Sequence, residues 1–212
     1  MQDLLVPVEF VWTKFGTESG EPIEEIFARK EKERCANGGI FLWGIGNNVG
    51  PSIRALATAR SPQVLFSPIA SPARQCDQSP TAIARWTAAE TLDGDFFEIP
   101  AGSNVTSRWS RNKRQHYALV CYSASPLKPI AGTERVHAQS LRNLVSGRQV
   151  GSSQVTSVVE RVAGAESGRS YPIVMQIALA APYFVRLLNP VPLHGGPVLS
   201  IPLMFQSRLP SI

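Results

Sequence analysis

Glycine and proline are so frequent along this chain that the sequence favours short strands and short helices over long helices. The 212 residues include 16 glycines and 17 prolines, spread along the whole length. Proline removes a backbone donor and glycine raises the entropic cost of order, so this spacing is typical of many turns between short strands and helices. Apolar residues make up 43% of the chain, which is enough for a buried core. The sequence therefore predicts an ordered α+β fold.

Two segments carry helical patterns and about seven carry strand patterns. Residues 22–36 begin with proline and glutamates, turn basic late and stop at Asn37-Gly38-Gly39, as a helix with a favourable dipole would. Residues 51–59 open with proline and place Ile53 and Leu56 on one face. We predict an exposed loop at 102–115 and a short turn or helix at 140–145. The predicted strands are 6–12, 40–45, 63–69, 82–91, 96–99, 116–122, 154–162 and, with a bend at Pro182, 171–188.

These elements predict one domain over residues 1–188, with a Pro-rich extension at 189–212 packed on it. The expected architecture is a mixed, strongly curved β-sheet or partly open barrel flanked by two or three helices. The order of strands within the sheet stays open, because one sequence does not determine which strands pair.

Charge and composition indicate which kind of partner and which cellular compartment to expect. Lys and Arg number 21 against 16 Asp and Glu, a net charge of +5 that favours a polyanionic partner. No apolar run reaches about 18 residues and no basic segment precedes an apolar N-terminal run, so we expect no membrane partner and no secretory signal. Cys35, Cys76 and Cys121 are widely spaced, which indicates free thiols and a cytoplasmic protein. Because CxxC and HExxH are absent, we expect no metal and no cofactor.

The segment from Trp43 to Pro51 runs from a strand through a glycine-rich loop into a helix start. Loop N–H groups and a helix N-terminus suit an anion or a polar base edge, and Asn47 and Asn48 add donors and acceptors. The loop lacks the Gly-Lys-Ser/Thr of a Walker A motif. The alternative is a tight turn that needs glycine and asparagine for positive φ.

Three further segments carry polar chemistry, and each has a plain structural alternative. Ser67 lies near the end of a predicted strand and Asp77 follows ten residues later, so the two suit a pocket wall or an ordinary Ser/Pro loop. The basic, aromatic stretch 107–117 suits phosphate contacts and base stacking, or is a solvated loop. The stretch 141–156 suits phosphate and base-edge contacts, or is a decorated hairpin. Predicted contacts to the nucleic-acid backbone are Arg108, Trp109, Arg111, Lys113, Arg114, His116, Arg142 and Arg148.

The order of these motifs resembles the PUA-like group that includes the YTH and EVE modified-base readers. Residues 41–67 look like their strand, polar loop, helix and second strand, and Leu141-Arg142 with Val150 and Ser153-Gln154 is similar to a later segment. The resemblance covers about 110 residues and implies a flipped or unpaired modified base held in an aromatic cage. The available cage walls are Trp43, Trp86 and Trp109.

Two shorter stretches resemble uracil-DNA glycosylases. Gly44–Gly50 is similar to their water-binding GINPG motif with an altered centre, and Ser123–Leu127 is similar to their HPSPL leaving-group loop with the histidine replaced. This resemblance implies an α/β/α sandwich as the alternative fold. A small basic chain with these marks also resembles phage-defence DNA glycosylases that remove glucosylated hydroxymethylcytosine.

All these hypotheses share one step, in which a nucleobase leaves the stack and enters a pocket. The favoured hypothesis is a DNA glycosylase that hydrolyses the N-glycosidic bond of hydroxymethyl- or glucosyl-hydroxymethylcytosine in phage DNA, with Asn48 and Asp77 holding the water at C1′. The alternative is a non-catalytic reader of a modified base in DNA or RNA, and a third class is a basic accessory protein. Whether the chain is an enzyme, and its oligomeric state, stay open. The predicted base-binding residues are Trp43, Asn47, Phe66, Ser67, Ser125, Ser153 and Gln154.

Overall fold

Twelve strands and two α-helices make up the part of the chain that the structure describes. The structure is a computed structural model that describes residues 6–16, 23–45, 49–59, 61–69, 82–99, 106–109, 116–130, 134–151, 154–164 and 168–192. The helices are α1 (Ile23–Ala36) and α2 (Gly50–Ala59), and a 3-10 turn spans Ala138–Ser140. The strands are β1 (Glu9–Gly16), β2 (Ile40–Ile45), β3 (Gln63–Ile69), β4 (Ala82–Glu90), β5 (Phe96–Glu98), β6 (Thr106–Trp109), β7 (His116–Tyr122), β8 (Arg135–His137), β9 (Leu141–Asn143), β10 (Thr156–Arg161), β11 (Ser170–Pro172) and β12 (Met175–Pro192).

Ten of these strands form one mixed sheet around the long strand β12. The order is β2-β7-β12-β3-β1-β10-β9, while β4 pairs with β12 and carries β5 and β6. β12 pairs with β3 through residues 175–178, with β7 through 178–187 and with β4 through 186–192. β1 and β3 are parallel, and the other described pairs are antiparallel. β8 and β11 form a separate two-stranded sheet, so the predicted mixed α+β class is confirmed.

The sheet curls strongly, because side chains of distant strands meet on one face. β1 and β2 are separated by β3, β12 and β7, which would put them roughly 19 Å apart in a flat sheet with strands about 4.8 Å apart. The ring centroids of Phe15 on β1 and Trp43 on β2 are instead 5.5 Å apart. Among the described strands no pairing joins β2 to β9, so the curled sheet is not a closed barrel.

Both described helices fill the concave face of this sheet. Apolar side chains of α1 and α2 pack there in one cluster with residues from β1, β2, β3, β7, β10 and β12. The convex face carries two smaller clusters, one around β4, β7 and β12 and one around β1, β3 and β10. Residues of β8 and β11 pack in the second of these, so the small sheet covers that part of the convex face.

A buried ion pair joins α1 to the sheet. The Lys30 ammonium lies 2.8 Å from the Glu33 carboxylate and donates a 2.5 Å hydrogen bond to the Leu42 carbonyl of β2. Both charged side chains are almost completely buried. Burial lowers the pKa of Lys30, and the adjacent Glu33 carboxylate opposes that shift. Removing either partner would leave a buried charge without a counter-charge, which is strongly destabilising. The pair and the hydrogen bond to Leu42 therefore hold α1 in place against β2.

The sequence predicted most elements, and the structure differs from the prediction in several places. The predicted strand 6–12 is β1, which spans Glu9–Gly16, and β8 was not predicted. The predicted loop 102–115 contains β6, which pairs with β4, and the predicted turn or helix at 140–145 is mainly strand β9 beside β10. β12 continues to Pro192, so the predicted boundary at 188/189 falls inside a paired strand.

The α/β/α alternative is wrong for the described residues. A sandwich of that kind needs helices on both faces of a largely parallel sheet. Here α1 and α2 pack on the same concave face, and most pairs are antiparallel. Neither helix has the length and apolar character needed to cross a membrane, within the residues described.

We predict that Phe15 is essential for the curl of the sheet. Phe15→Ala should lower the free energy of unfolding by about 3–5 kcal/mol, because it removes a buried ring that packs on Phe27, Trp43 and Phe66. Urea titration followed by tryptophan fluorescence measures the change. The matched control is Phe96→Ala, which removes a ring that is 69% exposed and should change stability by less than about 0.5 kcal/mol. Equal effects of the two variants would contradict the assignment.

Candidate nucleic-acid interface

Five arginines from β8 to the start of β11 form no ion pair with a described acidic residue. Four of them are exposed, and Arg142 is half-buried opposite Glu160 in the pairing of β9 with β10. A guanidinium without a carboxylate keeps donors available for an anion. We call these residues, grouped by their place in the chain, the arginine surface: Arg135, Arg142, Arg148, Arg161 and Arg169.

Arginines elsewhere in the described structure are mostly ion-paired. α1 contains pairs of Arg29 with Glu33 and of Arg34 with Glu31. Arg54 of α2 lies 3.0 Å from Asp93, and Arg186 of β12 contacts Glu90 of β4. These four arginines therefore have a carboxylate partner, whereas Arg85 of β4, like the five residues of the arginine surface, forms no ion pair with a described residue.

Neutral partners hold two of the five guanidinium groups in position. Arg135 donates through Nε to Ser170 Oγ at 2.8 Å and through Nη2 to the Ser170 carbonyl at 3.2 Å. Arg142 donates through Nη1 to the Gln139 carbonyl at 2.8 Å and to the Leu141 carbonyl at 3.2 Å. Hydroxyl and carbonyl acceptors orient a guanidinium without cancelling its charge, which suits phosphate binding.

An aromatic and cationic cluster lies directly beneath Arg169. The Arg169 guanidinium lies 5.2 Å from the ring centroid of Tyr171, which meets Trp12 edge-on at 5.2 Å. The Lys14 ammonium lies 5.2 Å from the Trp12 ring and 5.5 Å from the Tyr171 ring. Trp12 donates through Nε1 to Ser67 Oγ at 3.0 Å. All four side chains are buried, so the arrangement lies inside the protein on the convex side of the sheet, under Arg169.

The predicted segment around Ser67 and the predicted segment 141–156 meet on the convex side of the sheet. Ser67 of β3 lies next to Trp12 of β1, and Trp12 is paired in register with Ser157 of β10. Gln154 is exposed just before β10, and its side-chain oxygen accepts hydrogen bonds from Ser157 Oγ and from the backbone of Gly151, both at 3.3 Å. The parallel pairing of β1 and β3 and the antiparallel pairing of β10 produce this meeting.

The predicted pocket that combines Trp43, Phe66 and Ser67 is not formed. Trp43 and Phe66 pack edge-on with centroids 4.5 Å apart inside the concave core, where both are buried. Ser67 follows Phe66 in β3, and successive strand residues point to opposite faces, so its hydroxyl lies on the convex side. Stacking a base on Trp43 or Phe66 would require the core to open.

His116 and Trp86 also lie inside the protein. His116 is 8% exposed and its ring packs on Trp86 at 4.8 Å, in the cluster on the other part of the convex face. This burial does not fit the predicted phosphate contact of His116, and it leaves Trp86 as a core residue instead of an open cage wall. Arg108 and Trp109 belong to β6, whose backbone pairs with the backbone of β4.

The two loops that resemble uracil-DNA glycosylases leave the sheet at opposite ends. β2 and β7 are antiparallel, with Ile45 beside Tyr117 and Ile40 beside Tyr122. The chain after β2 and the chain after β7 therefore start roughly 17 Å apart, five strand residues at about 3.4 Å each. Ser125, predicted to bind the base, is exposed on the second of these loops.

Seven of the predicted site residues lie outside the described ranges. Within the described ranges no group of three His, Cys, Asp or Glu side chains is arranged to hold a metal ion. The predicted residues outside the described ranges are Asn47, Asn48, Asp77, Arg111, Lys113, Arg114 and Ser153.

Sequence reasoning missed most of the cationic site. Arg135, Arg161 and Arg169 stand alone in the sequence, without the clustering of cations found in 107–117. The sequence did contain one signal for this site, an excess of basic over acidic residues. Residues 134–169 contain five arginines and only three acidic residues. Trp12 and Tyr171 carried no signal, since a buried aromatic residue in a strand is ordinary.

Comparisons with protein-family models, with curated proteins and with solved structures found no match. The function must therefore be argued from the geometry of the site.

We predict that acid weakens the anchor of the loop after β7. Glu31 accepts hydrogen bonds from Arg34 and from the backbone N–H of Leu127, and these contacts, Arg34 first, lower the pKa of Glu31 to about 2. This contribution to stability is present above the unfolded pKa near 4.5 and is lost as the pH falls towards 2. Glu31→Gln should therefore flatten the loss of stability across that window, as measured by urea titration at each pH. The control is Glu24→Gln, an exposed carboxylate on the same helix, which should keep the wild-type profile.

Proposed function

We propose that this protein binds DNA through the arginine surface and recognises a modified, unpaired cytosine without cleaving it, in the manner of PUA-like readers. The observation that carries the proposal is the set of five arginines without carboxylate partners, in a structure whose other arginines are mostly ion-paired. An excess of cations without carboxylate partners in one stretch of the chain supports a nucleic-acid partner.

Arginine suits this role better than lysine would. Its planar fork donates two parallel hydrogen bonds to a phosphate and stays charged at every physiological pH. All five cations between residues 134 and 172 are arginines. Two of them are already oriented by Ser170 and Gln139, which reduces the entropy lost when a phosphate binds.

The cluster beneath Arg169 is buried and anchors this part of the surface to the sheet. Trp12, Tyr171, Ser67 and Lys14 are each at most 4% exposed, so a base would stack on these rings only if this core opened. Arg169 links the two layers, since its guanidinium covers the Tyr171 ring. A curled, open sheet with two helices in its concave face is consistent with a PUA-like domain.

The geometry favours reading over hydrolysis. A glycosylase of the uracil-DNA type brings its water-binding loop and its leaving-group loop to one site, whereas the strands that lead into the corresponding loops here, β2 and β7, end at opposite edges of their antiparallel pair. The glycosylase hypothesis stays a prediction that depends on Asn48 and Asp77. A phage origin of the DNA and a cytoplasmic location also stay predictions.

We expect substitutions on the arginine surface to weaken DNA binding and its salt dependence together. The double variant Arg135→Ala/Arg169→Ala should lower the slope of log affinity against log salt by about 1.8, because each phosphate contact contributes about 0.9. Fluorescence anisotropy with a labelled duplex over a sodium chloride series measures the slope. The matched control is Arg54→Ala, an exposed arginine paired with Asp93, which should keep the wild-type slope. An unchanged slope in the double variant would sink the proposed interface.

A second experiment separates reading from cleavage. Purified protein is incubated with DNA containing unmodified, hydroxymethylated or glucosylated cytosine, and the DNA is then treated with alkali. We expect tighter binding to one modified DNA and no strand breaks. Breaks at modified sites that disappear in Asn48→Ala or Asp77→Ala would instead establish the glycosylase. Equal affinity for all three DNAs would contradict recognition of the modification and leave the third class, a basic accessory protein.

A further inference from the structure

We propose that the outer face of the small β8–β11 sheet binds a phosphate monoester through Arg135, His137 and Ser170, and that this ligand is a terminal phosphate of a DNA strand. The choice of DNA as the source of the phosphate rests on the proposed function. The phosphate site itself rests on the geometry of the small sheet, and its three side chains are separate from the buried cluster beneath Arg169.

Strand pairing places these three side chains on one face. In the antiparallel pair of β8 and β11, His137 lies directly opposite Ser170, and Arg135 comes two residues before His137. Residues that lie opposite each other in a pair, and residues two apart in one strand, point to the same face. Val136 and Tyr171 alternate with them and are buried against the ten-stranded sheet. The three polar side chains therefore point away from that sheet.

Arg135 is held in position by Ser170 and keeps most of its donors. Its Nε–H and one Nη2–H donate to the Ser170 hydroxyl and carbonyl, at 2.8 and 3.2 Å. The other N–H groups of the guanidinium are left for a ligand, because the group carries five. The Ser170 hydroxyl accepts from Arg135 with its oxygen, so its own proton is left to donate. The pair thus presents charged and neutral donors in a fixed arrangement.

His137 adds a third donor beside Ser170. The imidazole is half-buried, and its Nδ1, next to the stem of the side chain, is buried without a hydrogen-bond partner among the described residues. Nε2 lies at the tip of the ring and is the nitrogen that a ligand can meet. A proton on Nε2 donates a hydrogen bond from the neutral ring as well as from the charged one.

These donors suit a phosphate monoester better than an internal phosphodiester. A monoester carries close to two negative charges and three terminal oxygens, whereas a diester has one charge and two such oxygens. Guanidinium, hydroxyl and imidazole donors on neighbouring strands, about 5 Å apart, can each bind a different oxygen. No described acidic residue forms an ion pair with Arg135 or His137, so no carboxylate competes there with the phosphate.

Three duplexes of one sequence, each with an internal fluorescent label, test the site by anisotropy. The first has only hydroxyl groups at its ends, the second carries 5′-phosphates and the third carries 3′-phosphates. We expect wild-type protein to bind at least one phosphorylated duplex about tenfold more tightly than the hydroxyl duplex, because only a monoester engages all three side chains. Equal affinity for the three duplexes would overturn the terminal-phosphate site while leaving DNA binding intact.

Substitutions assign this preference to the three side chains. Arg135→Lys keeps the charge and removes the fork, His137→Phe keeps a ring and removes both nitrogens, and Ser170→Ala removes the hydroxyl. Each should reduce the ratio of the two affinities several-fold. The matched control is Arg54→Lys, the same change at an exposed arginine of α2, which should keep the ratio. A full ratio in the three site variants would show that the preference arises elsewhere and would overturn the assignment.

Isothermal titration with thymidine 5′-monophosphate, compared with thymidine, decides the case in which no duplex is bound even at low salt. Binding of the monophosphate alone, lost in Arg135→Lys, would then overturn the proposed function and keep the site, with a free phosphomonoester as its ligand. If neither the monophosphate nor any duplex is bound, the proposed function and the phosphate site are both wrong.

Discussion

The aromatic contacts between Phe15, Trp43 and Phe66 determine how the rest of the structure is arranged. They join β1, β2 and β3 across the concave face, so the sheet must curl around α1 and α2. Because side chains alternate along a strand, filling the concave face with these rings leaves the next residue of each strand on the convex face. Ser67 reaches the convex face for this reason, and Trp12 and Lys14 lie there on β1 in the same alternation.

Ion pairs are unevenly distributed among the described arginines. Arginines of α1, α2 and β12 have carboxylate partners, while the five arginines between β8 and β11 bond to neutral acceptors or face solvent. The net charge of +5 belongs to the whole chain, which includes charged residues outside the described ranges. Guanidinium groups without a carboxylate keep donors available for an anion, so the proposed DNA contact is assigned to these five residues.

Local signals allowed several elements to be predicted to the residue. The bounds of β2, β3 and β7 match their predicted ranges, because each is a short apolar run that is closed by glycine, proline or polar residues. The proline and glutamates before α1 and the Asn37-Gly38-Gly39 stop after it marked that helix equally well. β6 was missed, since its four polar and aromatic residues are stabilised only by pairing with β4. Trp43 and Phe66 do not share a pocket with Ser67, because successive residues of a strand point to opposite faces of the sheet.

By itself the sequence determined the α+β class, the two helices, most strands and the basic character that indicates a polyanionic partner. Those properties depend on interactions between residues near each other in the chain, or on composition alone. Only the tertiary structure decided that β2 and β7 run antiparallel, so that the two strands end at opposite edges of their pair. It also decided which arginines have carboxylate partners and which project towards solvent. Both depend on which distant strands pair, and pairing between distant strands is selected by the packing of the whole core.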